Sequence, residues 1–153
     1  MKHRSLLIAF LLCFAFPLLA QNPELKALAE EDQAVRQANP AKGITRNDRD
    51  RDKLVLELLA KGAARTPEDK FNAALVLQHT PLIFCGKQLV SMSPDNYLLA
   101  HYLFKESFEA GYAPARIMVA NSIDRYMSMT EGRQKYGTNR ITNQRPEKMN
   151  GCH

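Results

Sequence analysis

His79, Asp32, Asp124 and Arg36 are the residue types from which proton-transfer sites are built, and they come from distant stretches of the chain. Imidazole is the side chain best suited to carry protons near neutral pH, a carboxylate can orient it, and a guanidinium can hold an anionic group. His79 is therefore the best general base in the sequence, with Asp32 or Asp124 to orient it and Arg36 to fix a ligand. Gln78, His101, Arg125, Gln134, Tyr136 and Thr138 add groups that could bind the same molecule. Each histidine alone also fits a hydrogen-bonded packing role; together they point to chemistry.

Spacing sharpens this reading. At about 100° per residue, Asp32 and Arg36 fall on the same helical face as Leu25, Leu28, Ala29 and Val35. Charges on an apolar stripe are costly unless paired or hydrated, so this face carries an internal ion pair or borders a wet cavity. A second helix repeats the pattern: Leu54, Val55, Leu58 and Leu59 define its buried side, and Asp48, Arg51 and Asp52 continue it. The run "NDRDRD" is no EF-hand loop, because Lys53 and Leu59 stand where Gly and Glu are required. With neither His-x-x-x-His nor Cys-x-x-Cys, no metal and no cofactor are expected. Nothing local supports Cys85 as a nucleophile paired with a histidine.

The elements that must position these groups can be read from their punctuation. Asn22-Pro23 opens a helix over residues 23 to 38, and Asn39-Pro40 with Gly43 breaks it. Thr45, with Asp48 three on, opens a second that runs to Lys61 before Gly62. Thr66-Pro67, with Asp69, opens a third through Gln78 or His79, and Pro81 ends it. Ser93-Pro94 starts a fourth that ends near Ala110, and Pro114 starts a fifth that ends near Thr130. "LIFCGKQLVSM" reads as a short helix or an extended crossing, and no strand shows clear period-two alternation. The expected fold is all-α, a single bundle of about five helices. The third and fourth are apolar around most of their circumference and so central: Phe71, Ala74, Leu75 and Leu77, then Leu99, Leu103, Phe104 and Phe108. After the fifth, "GRQKYGTN" is a polar loop that caps a pocket or ties off the helix.

Residues 1–20 have the anatomy of a secretory signal peptide. Lys2, His3 and Arg4 precede an apolar run of eleven residues, Pro17 breaks it, and Ala20 offers a small residue at the cut. The run is short for a membrane span, which takes about 20 residues, so no stable membrane insertion is expected after cleavage; an uncleaved anchor is the alternative. Residues 21–139 form the helical domain, and residues 140–153 a polar, partly disordered tail. A periplasmic or secreted protein is the expectation. In such a compartment Cys85 and Cys152 form a disulfide or remain unrelated thiols. The formal charge of +5 falls to +3 without Lys2 and Arg4, too dilute for nucleic-acid binding.

"AEEDQAVRQ", "LVLQH", "NYLLAHYLFKESFEAGYAPARIMVANSIDRY" and "GRQKYGTN" together resemble an uncharacterised family of bacterial helical domains. That family is marked by a Glu-Asp-Gln-x-x-Arg helix, Gln-His and Asp-Arg pairs, and a closing Gln-x-Tyr/Phe-Gly-Thr. The resemblance covers roughly residues 28 to 139. It falls on Glu31, Asp32, Gln33, Arg36, Gln78, His79, His101, Asp124, Arg125, Gln134, Tyr136, Gly137 and Thr138. Asn139 stands where the family often has Gln. A shared fold and site are implied, without an activity.

Two functions compete. One is a pocket protein that binds a small molecule or acts as a hydrolase-like enzyme, with the polar groups converging between helices. The other is a tetratricopeptide-like module for an envelope protein, suggested by the small-residue rhythm of Ala100, Ala110, Gly111, Ala115 and Ala120. Only one such helical pair is legible, whereas about three repeats are usually needed. A toxin or immunity partner is a third option, resting on size and export signal alone.

Overall fold

Asn22 caps the first helix. Its side-chain oxygen accepts the N–H groups of Glu24 and Leu25 at 2.9 and 3.1 Å, and Pro23 supplies a pre-set first turn. The computed structural model describes residues 20–37, 46–86 and 88–139. Residues 1–19 of the expected signal peptide (1–20), the expected 140–153 tail, Cys152 and Thr45 lie outside the described residues.

Helix α1 (Pro23–Ala34) stops short of the expected residue 38. Arg36 Nη1 donates to the carbonyl of Asp32 at 2.7 Å, the acceptor its own backbone N–H would have used. That N–H instead reaches Gln33 O at 3.2 Å, which tightens the last turn. Helix α2 (Asp48–Ala60) is capped by Asn47, whose side chain accepts from Asp50 N–H at 2.9 Å; the cap expected at Thr45 thus falls two residues later.

Helix α3 (Pro67–Leu77) opens on a reciprocal capping box. Thr66 Oγ1 accepts from Asp69 N–H at 3.0 Å, and Asp69 Oδ2 accepts from Thr66 N–H at 2.9 Å. Asp69 also accepts the backbone N–H of Asn22 at 2.6 Å, which ties the start of α1 to the start of α3. Thr66→Ala is expected to lower the unfolding free energy by about 1 kcal/mol. A urea midpoint indistinguishable from the parent's would show that Pro67 and Asp69 hold this start unaided.

Of the two readings open for the stretch after Pro81, the structure shows extended chain, though paired rather than crossing. It is an antiparallel hairpin, β1 (Leu82–Cys85) and β2 (Gln88–Ser91), with Leu82 opposite Ser91 and Cys85 opposite Gln88. Gly86 turns it with φ +62°, a conformation that L side chains rarely adopt. Alternation is absent because the strand hides no face. Leu82, Ile83 and Phe84 are all exposed, and an unbroken apolar run cannot be told from a helical segment by period.

Helices α4 (Pro94–Glu109) and α5 (Ala115–Glu131) complete an all-α bundle. Helix α3 touches α1, α2 and α4, and α4 also packs against α5, so the two apolar helices are central as expected. Leu25, Leu28, Val55, Val76, Leu77, Ala100, Phe104 and Ala115 form the core. Phe71 stacks edge-on against Phe104 at 5.4 Å. Phe108 departs from expectation and is 42 % exposed. Among the described residues no helix is long and apolar enough to cross a membrane.

Candidate functional site

Asp32 is 1 % exposed, and charges from three elements surround it. Its Oδ2 lies 2.7 Å from His79 Nδ1 and accepts from Gln33 Nε2 at 2.8 Å. Arg36 Nη1 is 2.8 Å from Oδ1, and Arg51 Nε lies at 3.7 Å from the same atom. Arg36 continues to Asp48 at 3.1 Å. Arg51, as buried as Asp32, donates to the carbonyl of Arg46 at 2.6 Å and to Asp48. The charges on the apolar faces of α1 and α2 thus answer one another.

This geometry assigns the ring of His79. An ionised carboxylate only accepts, so the proton of a neutral His79 sits on Nδ1 and Nε2 is left as the basic atom. No described residue bonds Nε2. The His79 side chain is 19 % exposed and lines a hollow of about 350 Å³ with Arg36, Asp48, Gln78, Thr80, Tyr97 and Arg125.

Arg125 enters this hollow from α5. Its Nη1 donates to the carbonyl of Gln78, and its guanidinium lies 5.9 Å from the centre of the Tyr97 ring. Among the described residues it pairs with no carboxylate. Burial and the like charge of Arg36 push its pKa down, with Tyr97 acting the other way, yet a guanidinium stays charged in proteins. Its Nε and the Oε1 of Gln78 are both buried without a hydrogen-bond partner among the described residues. Such groups call for a ligand or ordered water. Two cations therefore share a hollow that also holds a positioned imidazole.

Of the residues singled out in the sequence, Asp32, Arg36, Gln78, His79 and Arg125 come together. Asp124, His101 and the 134–138 loop do not join them, a correction to the expected convergence. Asp124, fully buried, accepts from the backbone N–H groups of Lys135, Tyr136 and Thr138 at 2.7, 2.8 and 2.7 Å and from Thr138 Oγ1 at 2.8 Å. Burial alone would raise its pKa, but these donors outweigh it and hold the carboxyl below the ordinary range. Gln134 closes the loop by exchanging hydrogen bonds with the Asn139 backbone at 2.8 and 3.0 Å, and Tyr136 is largely exposed. The loop ties off α5 and does not line the hollow. His101 bridges α4 to α5 through Val119 O at 2.9 Å.

The cause of the split lies in helical geometry. Consecutive residues point about 100° apart, so Arg125 and Asp124 cannot face the same neighbour. Sequence reasoning missed Tyr97 as a wall of the site; no polar break in an apolar stripe marks it. Among the described residues, no three His, Cys, Asp or Glu side chains group as metal ligands would. Compared with protein-family profiles, curated proteins and solved structures, the chain matches none.

Proposed function

We propose that this chain is an exported pocket protein that binds a small anionic molecule, carrying a phosphate or carboxylate, and can transfer a proton to or from it. The supporting observation is a partly buried Arg125 without a carboxylate partner among the described residues, in the same hollow as His79, which Asp32 holds by its Nδ1. Export from residues 1–20, and membership of the bacterial helical family that the motifs resemble, belong to the same proposal.

The reaction within reach is general-base attack. A water gives its proton to Nε2 of His79, Asp32 stabilises the resulting imidazolium, and the hydroxide oxygen attacks an ester or phosphoryl centre, whose C–O or P–O bond to the leaving group breaks as the imidazolium returns the proton to the departing oxygen. Negative charge developing there would be countered by Arg125 and Arg36. Hydrolysis is the simplest outcome of such a step.

Titrating a panel of phosphorylated and carboxylated metabolites by calorimetry tests the reading. At least one should bind, and Arg125→Met should weaken it about 10- to 100-fold, the loss of one or two charge-assisted hydrogen bonds. His79→Ala should keep the fold and bind within about tenfold of the parent while losing any turnover. If no anion shifts the melting temperature, or Arg125→Met binds as well as the parent, the pocket is not an anion site.

A second reading, the envelope-protein interaction module, draws on the hairpin. Leu82, Ile83 and Phe84 are exposed in a row, Phe84 by 76 %, with Met92 and Leu56 also exposed. Phe84→Ser would abolish partner capture under that reading and leave anion binding untouched.

A further inference from the structure

A second hollow, of about 550 Å³, shares Pro81 with the first but presents different chemistry. Leu56, Ala60, Pro81 and Met92 give it apolar walls, and Asp52 and Asn96 give it a polar end. Asp52 is 6 % exposed. Thr80 Oγ1 lies 3.0 Å from its Oδ2, and Asn96 Nδ2 lies 3.2 Å from the same atom. Its Oδ1 is buried with no hydrogen-bond partner among the described residues, and no described Lys, Arg or His pairs with it.

The surroundings intensify this deficit. Burial, with the like charges of Asp48 and Asp32, overrides the bonds from Thr80 and Asn96 and pushes the carboxyl up to about 6. Of the other titratable neighbours, Tyr97 is buried, while Arg49, Lys53 and Glu57 are exposed in the hollow's lining and screened by water. A buried carboxylate that no described cation balances takes up a proton or a cation from outside. A bare metal ion would need several oxygen ligands, and the walls here are hydrocarbon and thioether.

Going beyond the anion site, we propose that this hollow binds an organic ammonium ion with an apolar body, its N–H groups donating to Asp52 and its body lying along Leu56, Ala60, Pro81 and Met92. The ammonium balances the Asp52 charge, which no described cation pairs with, and the body covers surface otherwise left to water. Thr80 connects the two hollows, since it lines the first and bonds the carboxylate of the second.

The test is calorimetric titration of the full chain with phenethylammonium, alongside neutral 2-phenylethanol, at pH 5 and 7.5. Amine affinity should rise about tenfold over that interval, because Asp52 loses its proton as pH passes through about 6. The alcohol should show no such rise. Asp52→Asn should abolish the pH step. Leu56→Gln, on a side chain already partly in water, should weaken the amine several-fold and keep the step, which guards against a folding artefact. His79→Ala should leave amine binding unchanged, which separates this result from that of the anion site. Equal binding of alcohol and amine, a pH-independent amine, or full binding by Asp52→Asn would each overturn the proposal.

Discussion

Asp124→Ala is expected to lower the unfolding free energy by about 3–4 kcal/mol. The carboxylate is fully buried and gathers four donors from a seven-residue loop, three of them backbone N–H groups. Removing it leaves those donors without an acceptor and detaches residues 133–139 from α5. Urea denaturation measures the cost. Amide exchange at Lys135, Tyr136 and Thr138 should accelerate together, since one acceptor protects all three. The pH dependence has a definite sign. Because the folded carboxyl titrates below its unfolded value, its stabilisation is fully present above the ordinary carboxylate range and disappears as acid carries the pH through the lowered pKa. The alanine variant lacks this acid-sensitive increment. A loss under 1 kcal/mol, with unchanged exchange, would mean that the loop is held by something else.

Asp32 carries the second large effect, and two substitutions separate its roles. Asp32→Ala strips the acid from Arg36, Arg51 and His79 at once. Truncating one partner of a buried ionic cluster costs about 3–5 kcal/mol, because Arg36 and the buried Arg51 are then left to share the partly exposed Asp48. Asp32→Asn keeps the shape and costs less stability, but its amide no longer fixes the ring proton on Nδ1. Any turnover that depends on His79 should then fall about 10²- to 10⁴-fold, the range that general-base catalysis contributes. The ring tautomer can be read without knowing a substrate, from the ¹⁵N shifts of His79. The parent should show the proton on Nδ1, and Asp32→Asn a mixture or the reverse. A parent ring protonated on Nε2 would refute the assigned base.

Much of the site was legible because polar residues interrupt stripes that ought to be apolar. Asp32 and Arg36 stand out on the face of Leu25 and Leu28, and Arg51 and Asp52 on that of Val55 and Leu58. Burial at those positions forces them to meet partners, which periodicity alone can foretell. It cannot foretell which partners. Asp124 and Arg125 look like one motif on paper, yet they serve different neighbours because a helix turns between them. The helices followed their caps and prolines, since Asn22, Thr66 and Pro94 act locally. The hairpin did not, because "LIFC" carries no alternation when neither of its faces meets the core. Helix α1 ended early, where the side chain of Arg36 reaches the Asp32 carbonyl and its backbone N–H turns to Gln33 O.

That Asp124 and Arg125 are neighbours on α5 sets a rule for the evolution and engineering of this chain. The helix works as an axle whose rotational phase is fixed at two bearings about 100° apart, one at the loop and one at the hollow. Adding or deleting one residue between Ala115 and Asp124 would turn both side chains by about 100° and dislodge them together. Exchanges of side chain along the exposed part of α5, at Arg116 or Ile117, leave that phase alone. The length of the segment, more than its composition, is therefore what must be inherited intact.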